Sequence, residues 1–264
     1  MSAVPRSAEP AVIREDRDGV VWLTMNRPQQ MNLLTAEMLD ALQGAFDALE
    51  DDRAARVVVL AGAGKGFCAG HDLKEIRDLS GQSDIAQLFA QCSRVMTTIA
   101  ALPQPVIARV QGAAAAAGCQ LVAQCDLAVA SEAAKFTTPG VNWGFFCSTP
   151  GVAIGRNLSR KRAMEMLLTG DLVDAKTACD WGLVNRVVPA DQLDREVERL
   201  ARQIAAKPRE TIAAGKRAFY QQMDLGLQGA YELASGIITQ SFLSEEGRLG
   251  MSAFIEKRPP PGSR

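Results

Sequence analysis

Short, mainly apolar runs recur along the first half of the chain, and each has the length of a strand. The runs span Val20–Met25, Arg56–Leu60, Val106–Val110, Asp126–Ala130 and Ala134–Thr137. Between them, apolar residues recur at intervals of three and four, which predicts helices with one buried face. Thr35 is the predicted N-cap of one such helix, and residues 84–101 form another that ends before Pro103. Strands that alternate with helices predict an α/β fold.

Beyond residue 160 the apolar pattern changes and predicts helices almost alone. These helices span residues 161–169, 174–181, 191–206, 208–222 and 226–249. No linker rich in Pro, Gly or Ser interrupts the sequence. We therefore predict a core domain over residues 11–200 and a helical C-terminal segment over residues 201–264. Residues 1–10, which include two prolines, are predicted to be a disordered tail.

Two glycine-rich stretches, Gly62–Lys74 and Val110–Asp126, each follow an apolar run and precede a predicted helix. Small residues let the backbone approach a ligand, and the start of a helix leaves N–H groups without intrahelical acceptors. We expect such free N–H groups at His71 and, after a loop from Gly112 to Gly118, at Ala117. Two N–H donors aimed at one oxygen form an oxyanion hole. Taken alone, the first stretch also fits an ordinary strand-to-helix turn, and the second also fits a buried alanine-rich helix.

The net charge and the spacing of the cysteines limit the kinds of ligand, metal and macromolecule that we expect this protein to bind. The formal net charge of −1 and the pI near 6.0 give no basis for general affinity to nucleic acid or to a membrane surface. Lys65 and Lys74 flank the first glycine-rich stretch and could meet a phosphate, while Asp72 is the predicted cap of the following helix. The six cysteines have no spacing typical of a metal site or a disulfide framework. We therefore expect free thiols, no metal, no signal peptide or membrane span, and a cytoplasmic protein.

Several motifs, in a fixed order over nearly the whole chain, resemble the crotonase (enoyl-CoA hydratase/isomerase) superfamily. They are Leu23–Pro28 with Met31 and Asn32, Phe67–Lys74, Val110–Cys119, Cys125–Ala130, Leu168–Gly170, Ala175–Pro189 and Ala253–Arg258. The run Thr138–Gly151 is similar to one subgroup of this superfamily. The resemblance implies a crotonase-like spiral of ββα units with a C-terminal helical trimerisation region. It also implies a homotrimer or a dimer of trimers.

The resemblance further implies that the protein binds acyl-CoA and acts in fatty acid metabolism, with the coenzyme A thioester as substrate and no permanently bound cofactor. By motif position, the thioester oxygen accepts hydrogen bonds from the backbone N–H groups of His71 and Ala117. The implied coenzyme A contacts are Met31, Lys65, Ala69, Asp72, Leu73, Lys74, Phe254 and Lys257. Many members carry a lysine at the position of Gln29, where this chain has a neutral side chain.

The chain departs from the family pattern where hydratases carry two glutamates, because it has Gln120 and Gly140 at those positions. Hydration needs a base to activate water and an acid to protonate Cα, and neither residue titrates. We therefore expect little or no hydratase activity by that mechanism. Three interpretations stay open: an enzyme that stabilises a thioester enolate, a malonyl-type-CoA decarboxylase (a lyase) of the same fold, or an acyl-CoA-binding protein without catalysis.

Other titratable groups near the expected pocket have both structural and chemical interpretations. The side chain of His71, the one histidine of the chain, is expected to point away from the pocket into solvent or a subunit contact. The alternative is that this imidazole assists the chemistry, and some decarboxylating members carry a histidine here. Cys119 and Cys147 are expected to be neutral buried thiols because no base accompanies them. Asp126 is expected to be a structural cap.

Overall fold

The computed structural model describes residues 9–259, and it confirms an α/β fold with a helical C-terminal region. The strands are β1 (Val12–Arg17), β2 (Val20–Met25), β3 (Val57–Gly62), β4 (Val106–Val110), β5 (Ala113–Ala115), β6 (Leu127–Ser131), β7 (Lys135–Thr137), β8 (Val173–Asp174) and β9 (Arg186–Val188). The helices are α1 (Ala36–Glu50), α2 (Leu73–Asp78), α3 (Gln82–Ala101), α4 (Ala117–Gln124), α5 (Ser148–Asn157), α6 (Arg160–Thr169), α7 (Ala175–Trp181), α8 (Leu193–Ala205), α9 (Arg209–Met223), α10 (Leu227–Leu243) and α11 (Glu245–Ile255). Most of the predicted disordered tail, residues 1–8, lies outside the described residues, as do residues 260–264. No helix within residues 9–259 is long and apolar enough to cross a membrane.

The main sheet has the strand order β1-β2-β3-β4-β6-β9, and every neighbouring pair except β1 and β2 is parallel. All residues of β3 are buried, as expected for a parallel strand that is covered on both faces. Helix α8 packs on one face through an apolar cluster, and α1, α3 and α4 contribute to the larger cluster on the other. The carboxyl ends of β3 and β4 lead into the two glycine-rich stretches.

The sequence pattern missed β1, which forms an antiparallel hairpin with β2. Its last four residues are exposed and polar, so no continuous apolar run marks it. The turn between the strands is Asp18-Gly19, with φ of 50° and 79°. Asp-Gly is a strong local signal for a two-residue hairpin turn, because both residues tolerate positive φ.

The predicted loop from Gly112 to Gly118 is wrong over Ala113–Ala115, which form β5 and pair with β7 in a second, smaller sheet. Alanine is a weak strand former, but its small side chain allows the first glycine-rich stretch to lie directly against this strand. The Phe67 N–H donates to the Ala113 carbonyl at 2.9 Å, and the Ala115 N–H donates to the Cys68 carbonyl at 2.9 Å. Tertiary pairing thus decides the local structure, while α4 begins at Ala117 as predicted.

The C-terminal region is helical as predicted, but the single helix predicted over residues 226–249 is wrong. It divides at Ser244, whose hydroxyl oxygen accepts a hydrogen bond from the Gly247 N–H at 3.0 Å and caps α11. Helix α5 was also missing from the prediction. The predicted division at residue 200 falls within α8, and the division into a core domain and a C-terminal segment stays a prediction.

A buried ion pair joins α9 to the main sheet. The Lys216 ammonium lies 2.7 Å from an Asp126 carboxylate oxygen and donates to the carbonyls of Ile99 and Gln104. Asp126 also accepts from the Val106 N–H at 2.7 Å. This arrangement confirms the structural role expected for Asp126, and it fixes the C-terminal helices to the core.

Candidate active site

The first glycine-rich stretch is held by the segment that precedes α1. The Ala69 N–H donates to the Met31 carbonyl at 3.0 Å, and the Leu34 N–H donates to the Gly70 carbonyl at 2.8 Å. Leu34 and His71 are partners in an isolated parallel bridge. In such a bridge Leu34 bonds to the residues that flank His71, so the His71 N–H points away from Leu34. No acceptor for it exists within residues 9–259.

The second glycine-rich stretch brings another free N–H to the same place. Ala116 has an unusual backbone conformation, with φ of 49°, and its N–H donates to the Thr137 carbonyl at 2.9 Å. Ala117 is the first residue of α4, so its N–H has no intrahelical acceptor. Gly70 has φ of 89°, and a Cβ added to it would lie 3.2 Å from the Ala117 nitrogen. The residue before His71 is therefore packed directly against the start of α4.

These two backbone segments border a cavity of about 550 Å³, within the range of roughly 300–1,000 Å³ typical of small-molecule sites. Its wall consists of Ala69, His71, Leu73, Ile76, Phe89, Ala116, Ala117, Pro139, Gly140, Trp143, Phe145, Phe146, Cys147, Ser148, Thr149 and Pro150. The structure thus brings together five of the predicted site residues, His71, Ala117, Gly140, Ala69 and Leu73, and adds Cys147. The wall is mainly apolar and aromatic.

Six of the predicted coenzyme A contacts do not line the cavity: Met31, Lys65, Asp72, Lys74, Phe254 and Lys257. Lys65 and Lys74 are exposed, and neither ammonium has an ion-pair partner among the described residues. Asp72 caps α2 as predicted, since its carboxylate accepts from the Lys74 N–H at 2.8 Å. Phe254 and Lys257 are exposed at the C-terminal end of the described chain. Coenzyme A contacts by these residues stay a prediction.

Neither Gln120 nor Gly140, at the two positions where hydratases of the family carry glutamates, can act as an acid or a base. Gln120 is buried, does not line the cavity, and its Oε1 has no hydrogen-bond partner among the described residues. Gly140 lines the cavity, but a Cβ added there would lie 2.6 Å from the Phe145 carbonyl oxygen and 2.9 Å from the Cys147 sulfur. None of the described residues in the wall carries a carboxylate.

His71 lines the cavity, and the expectation that its side chain points into solvent is wrong, because the ring is enclosed by Phe89 and Leu34. Its Nδ1 lies 3.1 Å from the Leu34 carbonyl oxygen, which assigns the proton to Nδ1. The ring packs edge-to-face on Phe89, with centroids 5.1 Å apart. Burial lowers the pKa of His71, opposed by the bond to Leu34, so the imidazole is neutral at pH 7. Nε2 is buried without a partner among the described residues.

The six cysteines are free thiols, as predicted. Cys147 lines the cavity, and burial raises its pKa. Cys119 is fully buried, and burial raises its pKa to about 12. Both thiols are therefore protonated at neutral pH and are poor nucleophiles. Within residues 9–259 no cluster of three or more His, Cys, Asp or Glu side chains could hold a metal ion.

The aromatic wall was missed by sequence reasoning. Phe89 projects from α3, while Trp143, Phe145 and Phe146 lie in the turn before α5. Trp143 is 73% exposed although it borders the cavity. Aromatic residues make up 5% of the chain, so three of them within four positions was a usable signal.

A cavity between two glycine-rich backbone segments, on an α/β core with a helical C-terminal region, is the architecture of crotonase-like proteins. The chain belongs to this superfamily, since the model of the enoyl-CoA hydratase/isomerase family matches residues 15–262. Among curated relatives, the protein named "Enoyl-CoA hydratase domain-containing protein 3, mitochondrial" of Xenopus laevis is 43% identical, over 95% of this chain and 85% of its own length. The human protein of that name is 44% identical, over 92% of this chain and 80% of its own length.

Solved structures agree with this assignment. The structure described as enoyl-CoA hydratase of Mycobacterium smegmatis has a TM-score of 0.94 and 50% identity, covering 97% of this chain and 100% of its own. Human enoyl-CoA hydratase domain-containing protein 3 has a TM-score of 0.91 and 42% identity, covering 95% of this chain and 99% of its own. The subgroup resemblance of the run Thr138–Gly151 is thus confirmed.

The prediction of a cytoplasmic location is wrong according to these comparisons, because the vertebrate relatives are named as mitochondrial proteins. That prediction rested on the free cysteines. Unpaired thiols indicate a reducing environment but do not identify the compartment.

Proposed function

We propose that this protein binds acyl-CoA and polarises the thioester carbonyl between the backbone N–H groups of His71 and Ala117. The observation that carries the proposal is the convergence of two free N–H groups at one apolar cavity. Hydrogen-bond donors that are fixed in a water-poor site stabilise a developing oxyanion without reorganising. Such a site stabilises the enolate that a thioester forms when its α-carbon loses a proton to a base or loses a carboxylate as CO₂.

The coenzyme A moiety would lie outside the cavity along the first glycine-rich stretch. The exposed ammonium groups of Lys65 and Lys74 are available to its phosphates, because neither is engaged in an ion pair within the described chain. Phe254 and Lys257 add an exposed aromatic ring and a cation near the C terminus. Gln29 cannot replace the cation that many family members carry at its position.

The cavity wall argues against hydration by two glutamates. General acid–base assistance contributes roughly 10²–10⁴-fold per proton transfer, and no described wall residue is an acid. His71 is the one histidine among the described wall residues, but burial lowers the pKa of its imidazole and its Nε2 is enclosed. We therefore expect enolate chemistry without the addition of water.

Decarboxylation of a malonyl-type CoA is the second candidate. It requires stabilisation of the enolate oxygen and no carboxylate pair, and the apolar wall favours it because a substrate carboxylate loses solvation there. A protein that binds acyl-CoA without turnover has the same site, and kinetics distinguish it from both enzymes.

The decisive experiment compares binding and turnover on one preparation. We expect calorimetric titration to show tighter binding of octanoyl-CoA than of coenzyme A alone, since the apolar cavity adds acyl contacts. We expect crotonyl-CoA hydration far below rates typical of the family. Release of CO₂ from methylmalonyl-CoA favours the decarboxylase, and binding without turnover across a panel favours the binding protein. Equal affinity for octanoyl-CoA and coenzyme A contradicts the proposal.

Ala117→Pro removes the second N–H donor, because proline lacks the N–H. Ala116, with ψ of −117°, lies outside the extended region that proline favours in the residue before it, so Tm is measured beside turnover. Loss of one such donor costs about 2.7–4 kcal/mol of barrier, or roughly 10²–10³ in rate. Arg160→Pro is the matched control, since Arg160 is the first residue of α6 and does not line the cavity. Retained turnover in Ala117→Pro contradicts the role of this N–H.

We also propose a homotrimer or a dimer of trimers assembled through the C-terminal helices. Large apolar side chains are exposed there, namely Leu227, Tyr231, Ile238, Phe242, Phe254 and Ile255. Such a surface is typical of a protein interface. Light scattering at several concentrations tests it, and a monomer at all of them contradicts the assembly.

A further inference from the structure

Two side-chain amides donate hydrogen bonds to backbone carbonyls of the turn Gly62–Phe67. Asn32 Nδ2 lies 3.0, 3.1 and 3.0 Å from the carbonyl oxygens of Ala63, Gly66 and Phe67. Gln111 Nε2 lies 2.7, 3.1 and 2.7 Å from the carbonyl oxygens of Gly62, Gly64 and Gly66. The two amides thus share the Gly66 carbonyl, and their four N–H donors lie within hydrogen-bonding distance of five carbonyl oxygens of the turn.

The Asn32 amide and the Gln111 backbone are each fixed by a different part of the fold, while Gln111 Oε1 is buried without a hydrogen-bond partner among the described residues. Asn32 is completely buried with φ of 53°, and its Oδ1 accepts from the Arg27 N–H at 3.0 Å. Gln111 directly follows β4, and its backbone carbonyl accepts from the Ser131 hydroxyl at 2.8 Å. The turn is therefore held between the segment after β2 and the end of β4.

The turn leads through Cys68, Ala69 and Gly70 to His71, so its peptide planes set the path of the backbone at the proposed thioester site. Neither Asn32 nor Gln111 lines the cavity, and neither can touch an acyl group there. We infer that Asn32 and Gln111 are positioning residues that aim the His71 N–H at the thioester oxygen. This inference rests on the proposed function.

Gln104 provides a matched control at the opposite end of β4. It is also a buried glutamine, and its Nε2 donates to the carbonyls of Leu49 and Asp52 at 2.7 and 3.2 Å. Replacing either glutamine by methionine keeps the length of the side chain and removes the donors. A merely structural role predicts that Gln111→Met and Gln104→Met lower Tm without changing the bound thioester.

The readout is the infrared carbonyl band of octanoyl-CoA labelled with ¹³C at the thioester, measured free and bound at saturation. Hydrogen bonds from fixed donors polarise the carbonyl and lower its frequency. We expect a downward shift in the wild-type protein, the same shift in Gln104→Met, and loss of most of it in Gln111→Met. Asn32→Asp, which replaces the donor amide by an acceptor, is expected to lose the shift as well.

Gln111→Glu keeps the side-chain shape and gives a second test if the methionine variant does not fold. The introduced carboxylate cannot donate, whereas its protonated form has one O–H donor. We therefore expect the band shift to be smaller than in the wild-type protein and to fall further as the pH is raised and the introduced carboxyl ionises. A full shift at neutral pH in any folded Gln111 variant overturns this inference alone. Absence of a shift in the bound wild-type protein overturns the proposed function, and the inference with it.

Discussion

The close packing around Gly140 predicts that glutamates introduced at positions 120 and 140 will not create hydratase activity. A Cβ at residue 140 would lie 2.6 Å from the Phe145 carbonyl oxygen and 2.9 Å from both the Cys147 sulfur and the Phe145 ring. The carbonyl oxygen belongs to the backbone of the turn before α5, so it cannot rotate away. The Phe145 N–H also donates to the Gly140 carbonyl at 3.2 Å, which keeps the two residues together.

Gly140→Ala isolates this overlap from any new chemistry. Overpacking of this kind costs about 1–3 kcal/mol. For a chain of this size that corresponds to a decrease in Tm of roughly 2–12 °C. Gly155→Ala is the matched control, because no atom lies within 4 Å of the added Cβ and the site is inside helix α5. Alanine is favoured over glycine there by roughly 0.5–1 kcal/mol, so the control is expected to be neutral or stabilising.

The pair Gln120→Glu with Gly140→Glu extends the test to activity. We expect lower stability and no rise in crotonyl-CoA hydration, because the second carboxylate cannot enter the cavity without displacing Phe145 or Cys147. Thermal denaturation and a spectrophotometric hydration assay measure the two effects. A double variant that hydrates crotonyl-CoA at a rate typical of the family, or a Gly140→Ala variant as stable as wild type, refutes the steric argument.

Three further predictions concern the supports of the site. Lys216→Met is expected to lower the free energy of unfolding by about 3–5 kcal/mol, because it leaves the buried Asp126 carboxylate without its cation. The control Lys176→Met breaks an exposed ion pair with Asp180 that is worth roughly 0–1 kcal/mol. Equal losses of Tm in the two variants contradict this expectation. Gly70→Ala is expected to lower the free energy of unfolding by about 1–2 kcal/mol, because Gly70 has a positive φ. It is also expected to weaken octanoyl-CoA binding in a calorimetric titration, and unchanged affinity would count against the packing of this residue on the start of α4. Burial lowers the pKa of His71, so the unfolded chain, with a histidine pKa of about 6.5, binds this proton at a higher pH than the folded state does. Stability should therefore fall as the pH drops below about 6.5, and urea titrations of His71→Gln should show a smaller fall; equal falls contradict the assignment.

Strands of the main sheet could be predicted from the sequence where nearly all of their residues are buried. The predicted strands Val20–Met25 and Val106–Val110 match β2 and β4 residue for residue, because all but one residue of each strand is apolar and buried. Strand β5 could not be predicted, since an alanine run carries no strand signal and only pairing with Lys135–Thr137 makes it a strand. The break at Ser244 was readable in principle as an N-cap followed by two glutamates.

The site was predictable at its backbone positions but not at its side chains. Glycines and helix starts mark where N–H groups are free, which led to His71 and Ala117. The orientation of the His71 ring depends on a contact with Leu34, more than thirty residues away in sequence. The lack of space for a side chain at Gly140 likewise depends on the path of the turn through Phe145. Such contacts are set by tertiary packing, on which residue spacing carries no information.

The location of the thioester is tested most directly by a crystal structure with bound octanoyl-CoA. The thioester oxygen is predicted to lie about 2.7–3.1 Å from the backbone nitrogens of both His71 and Ala117, with the acyl chain inside the aromatic wall. A thioester oxygen bound to neither nitrogen, or an acyl chain outside the cavity, would contradict the account.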